Sequence, residues 1–327
     1  MSQAMPFSPT LPSARRCDAV LFTTCDLGSG RLDDLQRLLA SVRRAVTEDG
    51  LSIIHYVLLQ RAADGVPPPL LGDDWHAPRF MTAAARLPLS RARNLMLAQA
   101  LRDKALQHAA WVAFPDDDAW YPPQLLLELS LLFACHPHVD LITCRYGSAP
   151  LDLSPLGADP AFRPAESRGE MVRRVSSNTL MLRASAALRT GFFDERLGLG
   201  AAINGGEDLD YALRSDGCRP ERALISDEIL VGHRDRLAWV RSRYYAGSLF
   251  ALARAARRQP MMAGQAARKL LVGLALLAGR ELGWREWRSG LRAGWLGWRL
   301  PDPGTAFTLE AEPHLVEGMH HGAADQS

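Results

Sequence analysis

Short apolar runs that alternate with segments of helical periodicity are the feature that most constrains how this chain folds. The runs are rich in β-branched and aromatic residues, and the segments between them repeat their apolar residues with a helical period. Alternating strands and helices form a mostly parallel sheet whose faces need helices to cover them. The sequence therefore predicts an α/β fold, with strands at 18–24, 52–59, 111–114 and 140–144 and helices at 32–46, 90–105, 123–134 and 207–214.

Length and charge narrow the class of protein further. The chain has 327 residues, of which 47% are hydrophobic and 23% charged, which is ordinary for a folded protein and excludes a disordered one. A formal net charge of +2 gives no general attraction to polyanions, so no nucleic-acid partner is predicted.

The cysteines and the N-terminal residues indicate in which compartment the protein is located. The five cysteines are scattered and none forms a C-x-x-C pair, which argues against a disulfide framework and against a zinc site. Residues 1–16 are rich in Ser and Pro and contain no apolar core of signal-peptide length. We therefore predict a cytoplasmic protein and leave open a position at the inner face of the cell membrane.

Three consecutive aspartates directly follow an apolar run in the segment FPDDDAWYPP. Loops at the carboxyl ends of parallel strands are the usual ligand sites of such sheets. Because side chains alternate in an extended segment, we expect Asp116 and Asp118 to point one way and Asp117 another. Mg²⁺ and Mn²⁺ bind such oxygen ligands and commonly keep positions for substrate phosphates. The alternative is a solvated acidic turn without a metal.

A second acidic group, Glu207 and Asp208, follows Gly205 and Gly206 and begins a predicted helix. Carboxylates are electrostatically favoured at a helix N-terminus, so capping alone accounts for their presence. The functional alternative is a general base that takes a proton from an acceptor hydroxyl. Adjacent helical residues point about 100° apart, so only one of the two carboxylates faces the acceptor squarely.

A basic helix start contains Ser90, Arg91, Arg93 and Asn94, with Ser90 predicted as the N-cap. Free N–H groups and two guanidiniums suit a phosphate or a nucleotide, whereas an ordinary basic surface helix is the alternative. His233, in the segment VGHRD after an apolar run, is either a further metal ligand or the end of a strand.

The order of these motifs resembles that of family 2 glycosyltransferases of bacterial exopolysaccharide and cell-surface glycan synthesis. The matching segments are LSRARNLML, FPDDDAWYPP, FDERLGLGAAINGGEDLDYALR, VGHRD and RYYAGSLFALAR. Their joint order is far more specific than any single motif. The resemblance implies the GT-A fold, a nucleotide-sugar donor with a UDP-sugar favoured, a Mg²⁺ or Mn²⁺ ion at a D-x-D motif matching Asp116 to Asp118, and inversion at the anomeric carbon.

The resemblance also assigns roles to residues. It makes Asp208 the first choice for the catalytic base, with Glu207 beside it, and adds His233 to the metal ligands Asp116 and Asp118. Donor binding is assigned to a larger set: Thr23, Asp26, Arg91, Arg93, Asn94, Asp116 and Asp117. The implied enzyme is a metal-dependent hexosyltransferase that acts on a glycan or lipid-linked acceptor in surface polysaccharide synthesis. A sugar-phosphate nucleotidyltransferase and a non-catalytic, membrane-associated nucleotide-sugar-binding protein are the alternatives.

The expected organisation is a disordered leader at 1–16, a GT-A domain at 17–258, a helical appendage at 259–300 and a flexible tail at 301–327. The apolar run 270–278 is shorter than the ~20 residues that cross a bilayer, so it is not predicted to span one. The stretch after it mixes tryptophans with arginines, which suits an interfacial helix on anionic lipid. A core or dimer helix is the alternative, so membrane contact stays open.

Overall fold

The computed structural model describes residues 17–62, 78–153, 160–215, 218–235 and 240–303. The predicted leader and the predicted tail from residue 304 onward lie outside the described residues. Within them one eight-stranded sheet is flanked by helices. The predicted α/β fold, with a mostly parallel sheet, is confirmed.

The sheet has the order β3-β2-β1-β4-β7-β5-β8-β6. Parallel pairs join β1 to β2 and β4, β2 to β3, and β5 to β8, whereas β7 is antiparallel to β4 and β5, and β6 is antiparallel to β8. The strands are β1 (Cys17–Asp26), β2 (Ile53–Gln60), β3 (Arg79–Ala83), β4 (Ala109–Ala113), β5 (Leu141–Gly147), β6 (Arg163–Pro164), β7 (Met181–Arg183) and β8 (Ala223–Gly232).

Helices cover both faces of this sheet, as its doubly buried strands require. Along β1, Val20 and Phe22 belong to one buried apolar cluster, and Leu21 belongs to another on the opposite face. The helices are α1 (Leu32–Thr47), α2 (Leu89–Arg102), α3 (Ala105–His108), α4 (Leu125–Cys135), α5 (Arg168–Arg174), α6 (Ala184–Thr190), α7 (Glu207–Arg214), α8 (Val240–Arg243), α9 (Tyr245–Arg258), α10 (Ala263–Ala278) and α11 (Trp284–Arg299).

The start of α2 corrects one prediction. Ser90 is not the N-cap, because the helix begins at Leu89 and Pro88 occupies the cap position. The Ser90 hydroxyl is buried and donates instead to the Leu197 carbonyl at 2.6 Å. The side chain therefore fastens the loop around Leu197 to the helix rather than capping the helix.

Helix α9 packs against α7 and α11, and a buried arginine on it joins it to the rest of the fold. Arg254 is fully buried, and its guanidinium donates to Asp210 on α7 at 2.9 Å and to Asp194 at 2.6 Å. Helices α10 and α11 pack on α9 in turn, through a small apolar cluster that includes Tyr245 and Leu276.

The stretch Pro260–Ala278, which includes α10, has 19 residues and is long and apolar enough to cross a membrane by length and composition alone. The helix extends well before the run 270–278, so its length alone does not exclude a span, and the absence of a span stays a prediction. Only 17% of this apolar stretch is buried within the protein.

Replacing Arg254 with Met is expected to lower the free energy of unfolding by roughly 3–5 kcal/mol, because it leaves the buried carboxylates of Asp194 and Asp210 without this partner. Urea denaturation measures the change. Arg257→Met on the same helix is the matched control, since the Arg257 side chain is 33% exposed and its loss should cost no more than about 1 kcal/mol. Equal losses for the two variants would contradict this account of α9.

Candidate active site

The loop that carries the acidic triplet is supported by the neighbouring strands. Thr23, near the end of β1, is fully buried, and its hydroxyl donates to the Pro115 carbonyl at 3.1 Å. His55 Nε2 lies 2.9 Å from the same hydroxyl oxygen and donates to it, because the hydroxyl proton is already given to Pro115. Thr23 thus holds the backbone that directly precedes the triplet.

Two of the three aspartates meet His233 in one cluster. One ligand atom each from Asp116, Asp118 and His233 lies within 4.8 Å of the others. Asp117 points elsewhere, and its Oδ1 accepts from the Arg31 guanidinium at 3.0 Å. The three side chains divide as the sequence predicts, although Asp117 and Asp118 lie in a turn and not in the expected extended segment. The division brings two carboxylates and an imidazole to a common point.

Strand β8 delivers His233 to the acidic loop through a close backbone approach. Gly232 and Trp120 exchange two backbone hydrogen bonds of 2.9 Å, and a Cβ at Gly232 would overlap the Trp120 ring. The His233 amide donates to the Gly147 carbonyl at 2.9 Å, and the imidazole packs edge-on against Tyr146 at 5.1 Å. Only a glycine at position 232 lets the end of β8 lie this near the loop.

The hydrogen bonding of this cluster suits a cation. His233 Nδ1 donates to the Arg234 carbonyl at 2.8 Å, which directs Nε2 toward Asp118 Oδ1 at 2.9 Å. That buried oxygen lacks a donor unless Nε2 also carries a proton. Two acceptors at this distance need a proton or a cation between them. A divalent ion bound by Asp116, Asp118 and His233 meets this need, and Mg²⁺ and Mn²⁺ accept such ligands.

Burial and the neighbouring charges act in opposite directions on these ligands. Burial raises the pKa of Asp116 above its usual value, although the Arg93 guanidinium opposes this. Burial opposes the charge on Asp118, but the His233 imidazole and two nearby guanidiniums together hold the pKa of Asp118 below its usual value. Burial likewise opposes protonation of His233, yet the Asp118 carboxylate outweighs it and raises the pKa of the imidazole. Because only the neutral imidazole binds a metal, an ion at this place would displace the proton between His233 and Asp118. For Asp117, which faces away, burial raises the pKa to about 6 despite the Arg31 pair.

Two polar residues before β7 hold Asp116, and the sequence analysis does not assign them to the site. The Asn178 side chain accepts from the Asp116 amide at 2.8 Å and donates to its Oδ2 at 3.1 Å. The Ser177 hydroxyl donates to the same Oδ2 at 3.0 Å. The polar start of the segment SNTLML is the signal that separates these residues from an ordinary buried strand.

Arg31 and Arg234 are further site residues that the sequence analysis misses. Arg31 lies 3.0 Å from Asp117 and 3.6 Å from Asp118, and Arg234 Nε lies 3.3 Å from Asp118 Oδ2. The available signal for Arg31 is its position just after β1, at the sheet edge where β4 also ends. Both guanidiniums keep exposed surface, 33% for Arg31 and 58% for Arg234.

The second acidic pair begins α7, where the backbone comes very close to α9. Gly205 and Gly206 have φ values of +74° and +83°, in the left-handed region, and a Cβ at Gly206 would overlap the backbone of Gly247. Glu207 is buried, and burial together with the neighbouring Asp208 charge raises its pKa. Its Oε2 has no hydrogen-bond partner among the described residues. The Asp208 side chain is 17% exposed and points toward α2.

Arg93 joins the two acidic groups. Its side chain is 2% exposed, and its guanidinium lies 2.5 Å from Asp208 Oδ1 and 3.5 Å from Asp116 Oδ1. The guanidinium also lies near the rings of Phe193 and Phe114, at 5.2 and 5.8 Å from their centroids. Asp116 and Asp208 are therefore neighbours across a single arginine and belong to one site.

Other residues predicted for donor binding lie in different settings. Asp26 accepts from Arg61 at 2.6 and 2.7 Å, Asn94 exchanges two hydrogen bonds with the Phe193 backbone, and Arg91 is exposed. Thr23 is internal, as described above. A donor-binding role for these residues stays a prediction.

Comparison with known proteins gives a structural likeness and no likeness in sequence. No protein-family model matches the sequence, and no curated protein matches it. The crystal structure of S. aureus TarS 1-349 aligns with a TM-score of 0.56 at 11% identity over 86% of this chain and 81% of that chain. The same TarS fragment in complex with UDP-GlcNAc aligns at 0.57 and 12% identity over 84% and 79%.

A third structure, the mannosyltransferase PcManGT from Pyrobaculum calidifontis in complex with GDP-Man and Mn²⁺, has a TM-score of 0.49 at 14% identity, over 90% of this chain and 91% of that chain. The structural neighbours are glycosyltransferases, and the argument for the fold rests on the two TarS structures, whose TM-scores exceed 0.5. The chain therefore has a glycosyltransferase fold.

Proposed function

We propose that this protein is a metal-dependent, inverting glycosyltransferase that moves a sugar from a nucleotide-diphosphate donor to an acceptor hydroxyl. The observation that carries the proposal is the position of Arg93 between Asp116 of the metal-type cluster and Asp208 of α7. Glycosyl transfer of this kind needs positive charge for the leaving diphosphate beside a base for the acceptor. The site contains residues suited to both tasks, on a glycosyltransferase fold.

Asp208 is the residue that we assign as the catalytic base. The Arg93 guanidinium holds Asp208 Oδ1 in place at 2.5 Å, and the Asp208 side chain is 17% exposed, so an acceptor hydroxyl can reach it. Glu207 is the weaker candidate, because it is buried and its raised pKa favours the neutral acid. Only one of two adjacent helical carboxylates faces the acceptor, and the burial of Glu207 supports assigning this role to Asp208.

Asp116, Asp118 and His233 would hold the metal, and a bound divalent ion would supply positive charge to the departing diphosphate. Arg31 and Arg234 add two guanidiniums at the same place, and their exposed surface leaves donors free for phosphate oxygens. Here the protein's own task is to orient the diphosphate and to offset its charge.

The reaction that follows is a single displacement. The acceptor oxygen forms a bond to the anomeric carbon as the bond from that carbon to the diphosphate oxygen breaks. The acceptor proton passes to the Asp208 carboxylate, and the nucleoside diphosphate leaves with the bonding electron pair. Attack opposite the leaving group inverts the anomeric centre.

The finer assignments of this proposal rest on the motif order of the sequence. We propose a UDP-sugar as the donor, a hexose as the transferred sugar, and a glycan or lipid-linked glycan of surface polysaccharide synthesis as the acceptor. We place the reaction in the cytoplasm. The nucleotide-sugar complexes of the structural neighbours support the donor class.

Product analysis tests the proposal against its two alternatives. Incubating the purified protein with UDP-sugars and MnCl₂ should release a nucleoside diphosphate, and EDTA should stop the release. Release of pyrophosphate on addition of a nucleoside triphosphate and a sugar phosphate would instead indicate a nucleotidyltransferase. Donor binding without any metal-stimulated release, with water or with glycan acceptors, would indicate a non-catalytic binding protein.

A further inference from the structure

Helix α11 presents a stripe of tryptophans to solvent. Trp284, Trp295 and Trp298 are 58%, 56% and 52% exposed, and Leu291 is 36% exposed. At about 100° per residue these four side chains fall within an arc of roughly 60° on the helix. Large apolar side chains gathered on one exposed face mark an interaction surface more often than a free one.

Arginines border this stripe on one side. Arg288, Arg299, Arg292 and Arg285 follow next around the helix, within a further arc of roughly 60°. All four are exposed, and Arg299 lies over the Trp295 ring at 5.1 Å. Among the described residues, Arg285, Arg288 and Arg292 have no carboxylate partner. The exposed face of α11 is therefore aromatic along one line and cationic along the next.

Glycines on the opposite side fix the rotation of α11. Gly290 and Gly297 are buried, and a Cβ at these positions would overlap the Tyr245 ring and the Phe250 backbone of α9. These close contacts place the glycine side of α11 against α9 and the tryptophans on the opposite side. Among the described residues, this tryptophan face is therefore not part of the protein core.

The neighbouring helix α10 also leaves an apolar face uncovered. Leu270, Leu271 and Leu274 are 37%, 65% and 47% exposed, whereas Gly273 and Leu276 are buried. From residue 270 to residue 278 the helix carries no charged side chain. This second face exposes aliphatic rather than aromatic residues.

We propose that α11, together with the exposed face of α10, docks the protein on an anionic membrane surface. Tryptophan rings suit the boundary between headgroups and acyl chains, and arginines are attracted to the negative surface of anionic lipid. The tryptophan line can lie between the headgroups and the acyl chains while the neighbouring arginine line contacts the anionic headgroups. In the absence of a membrane, the aromatic line is exposed to water, which is unfavourable for apolar side chains.

The docked helices lie on the membrane and do not cross it. Pro260–Ala278 is long enough to cross, but Arg268 and Lys269 lie near its middle, where charges are costly at the bilayer centre. The other side of α10 packs on Tyr245, so crossing would also pull the helix away from α9.

Vesicle flotation of the full-length protein tests this surface. Binding is expected to vesicles of phosphatidylcholine with phosphatidylglycerol, to fall steeply with added NaCl, and to be weak on phosphatidylcholine alone. The triple variant Arg285→Gln, Arg288→Gln, Arg292→Gln should lower the partition coefficient roughly 100-fold, at about fivefold per arginine. The double variant Trp295→Gln, Trp298→Gln should weaken binding without changing its salt dependence.

The control variant removes three positive charges from a part of the surface away from α11. Arg43→Gln, Arg102→Gln, Lys104→Gln replaces three exposed cations on and near α1 and α2 and should float like the wild type. Circular dichroism verifies that each variant is folded. Equal flotation of the two triple variants, salt-resistant binding to neutral vesicles, or no binding to either vesicle would overturn the proposal. So would a concentration-dependent dimer, seen by light scattering, that the tryptophan variant abolishes, because a second copy would then cover the face.

Discussion

Asp208→Asn is expected to lower turnover by roughly two to four powers of ten, the contribution that general bases make, while donor affinity stays close to that of the wild type. Asparagine keeps the size of the side chain and still accepts a hydrogen bond from Arg93, but it does not take the acceptor proton. Turnover is measured as nucleoside diphosphate released at saturating donor, and donor affinity by calorimetry.

Two variants sharpen this test. Asp33→Asn removes an exposed carboxylate from the first turn of α1 and should leave turnover within about twofold of the wild type, as surface changes do. Glu207→Gln should cost much less than Asp208→Asn, because the Glu207 side chain is buried and its raised pKa favours the neutral acid. A larger loss of turnover for Glu207→Gln than for Asp208→Asn would identify Glu207 as the base. Near-normal turnover of Asp208→Asn would reject the assignment of Asp208.

Asp118→Asn is expected to lower turnover at least ~100-fold at low metal concentration and to raise the MnCl₂ concentration needed for half-maximal rate. The substitution removes one negative charge from a buried cluster of two carboxylates and an imidazole while keeping an oxygen ligand. Turnover measured across a MnCl₂ series separates lost metal affinity from lost catalysis.

Asp117→Asn is the matched control for that variant. Asp117 is the adjacent aspartate, of equal charge, but it faces Arg31 instead of the cluster. Its replacement should leave the metal dependence of the rate unchanged, whatever it does to donor binding. An unchanged MnCl₂ dependence for Asp118→Asn, or the same shift for both variants, would place the metal elsewhere.

The sequence predicts the fold well where apolar periodicity is strong. Helices predicted at 32–46 and 207–214 are present as α1 and α7, which carry clear amphipathic patterns. The pattern misses β3, because only one of its five residues is buried. It also misses the short helix α5, although Ser167 caps it by accepting from the Glu170 amide, a serine-to-glutamate spacing typical of helix starts.

The sequence also predicts that Asp116 and Asp118 face one way and Asp117 another, but the physical reason differs from the expected one. Asp117 and Asp118 lie in a turn closed by the Ala119 amide, which donates to the Asp116 carbonyl at 3.1 Å, and not in an extended segment. The partners of the acidic residues come from distant parts of the chain, so local patterns do not show which residues they contact: Asn178 is 62 residues from Asp116, and Arg93 is 115 residues from Asp208.

Arg93 shows how burial changes the interpretation of a motif. A basic residue near a helix start predicts phosphate binding, but the Arg93 side chain is 2% exposed and contacts two carboxylates. Its position favours a role in fixing Asp208 relative to Asp116. Burial of this kind depends on the packing of α2 against the sheet and α7, which the sequence pattern does not specify.

Calorimetric binding of nucleoside diphosphates to the wild-type protein, with and without Mn²⁺, tests the central claim most directly. That claim is that Asp116, Asp118 and His233 hold a divalent ion against the diphosphate of the donor. We predict that UDP or another nucleoside diphosphate binds in the presence of Mn²⁺ and that EDTA weakens this binding at least tenfold. Equal affinity with and without the metal, or no binding of any nucleoside diphosphate, would contradict the account.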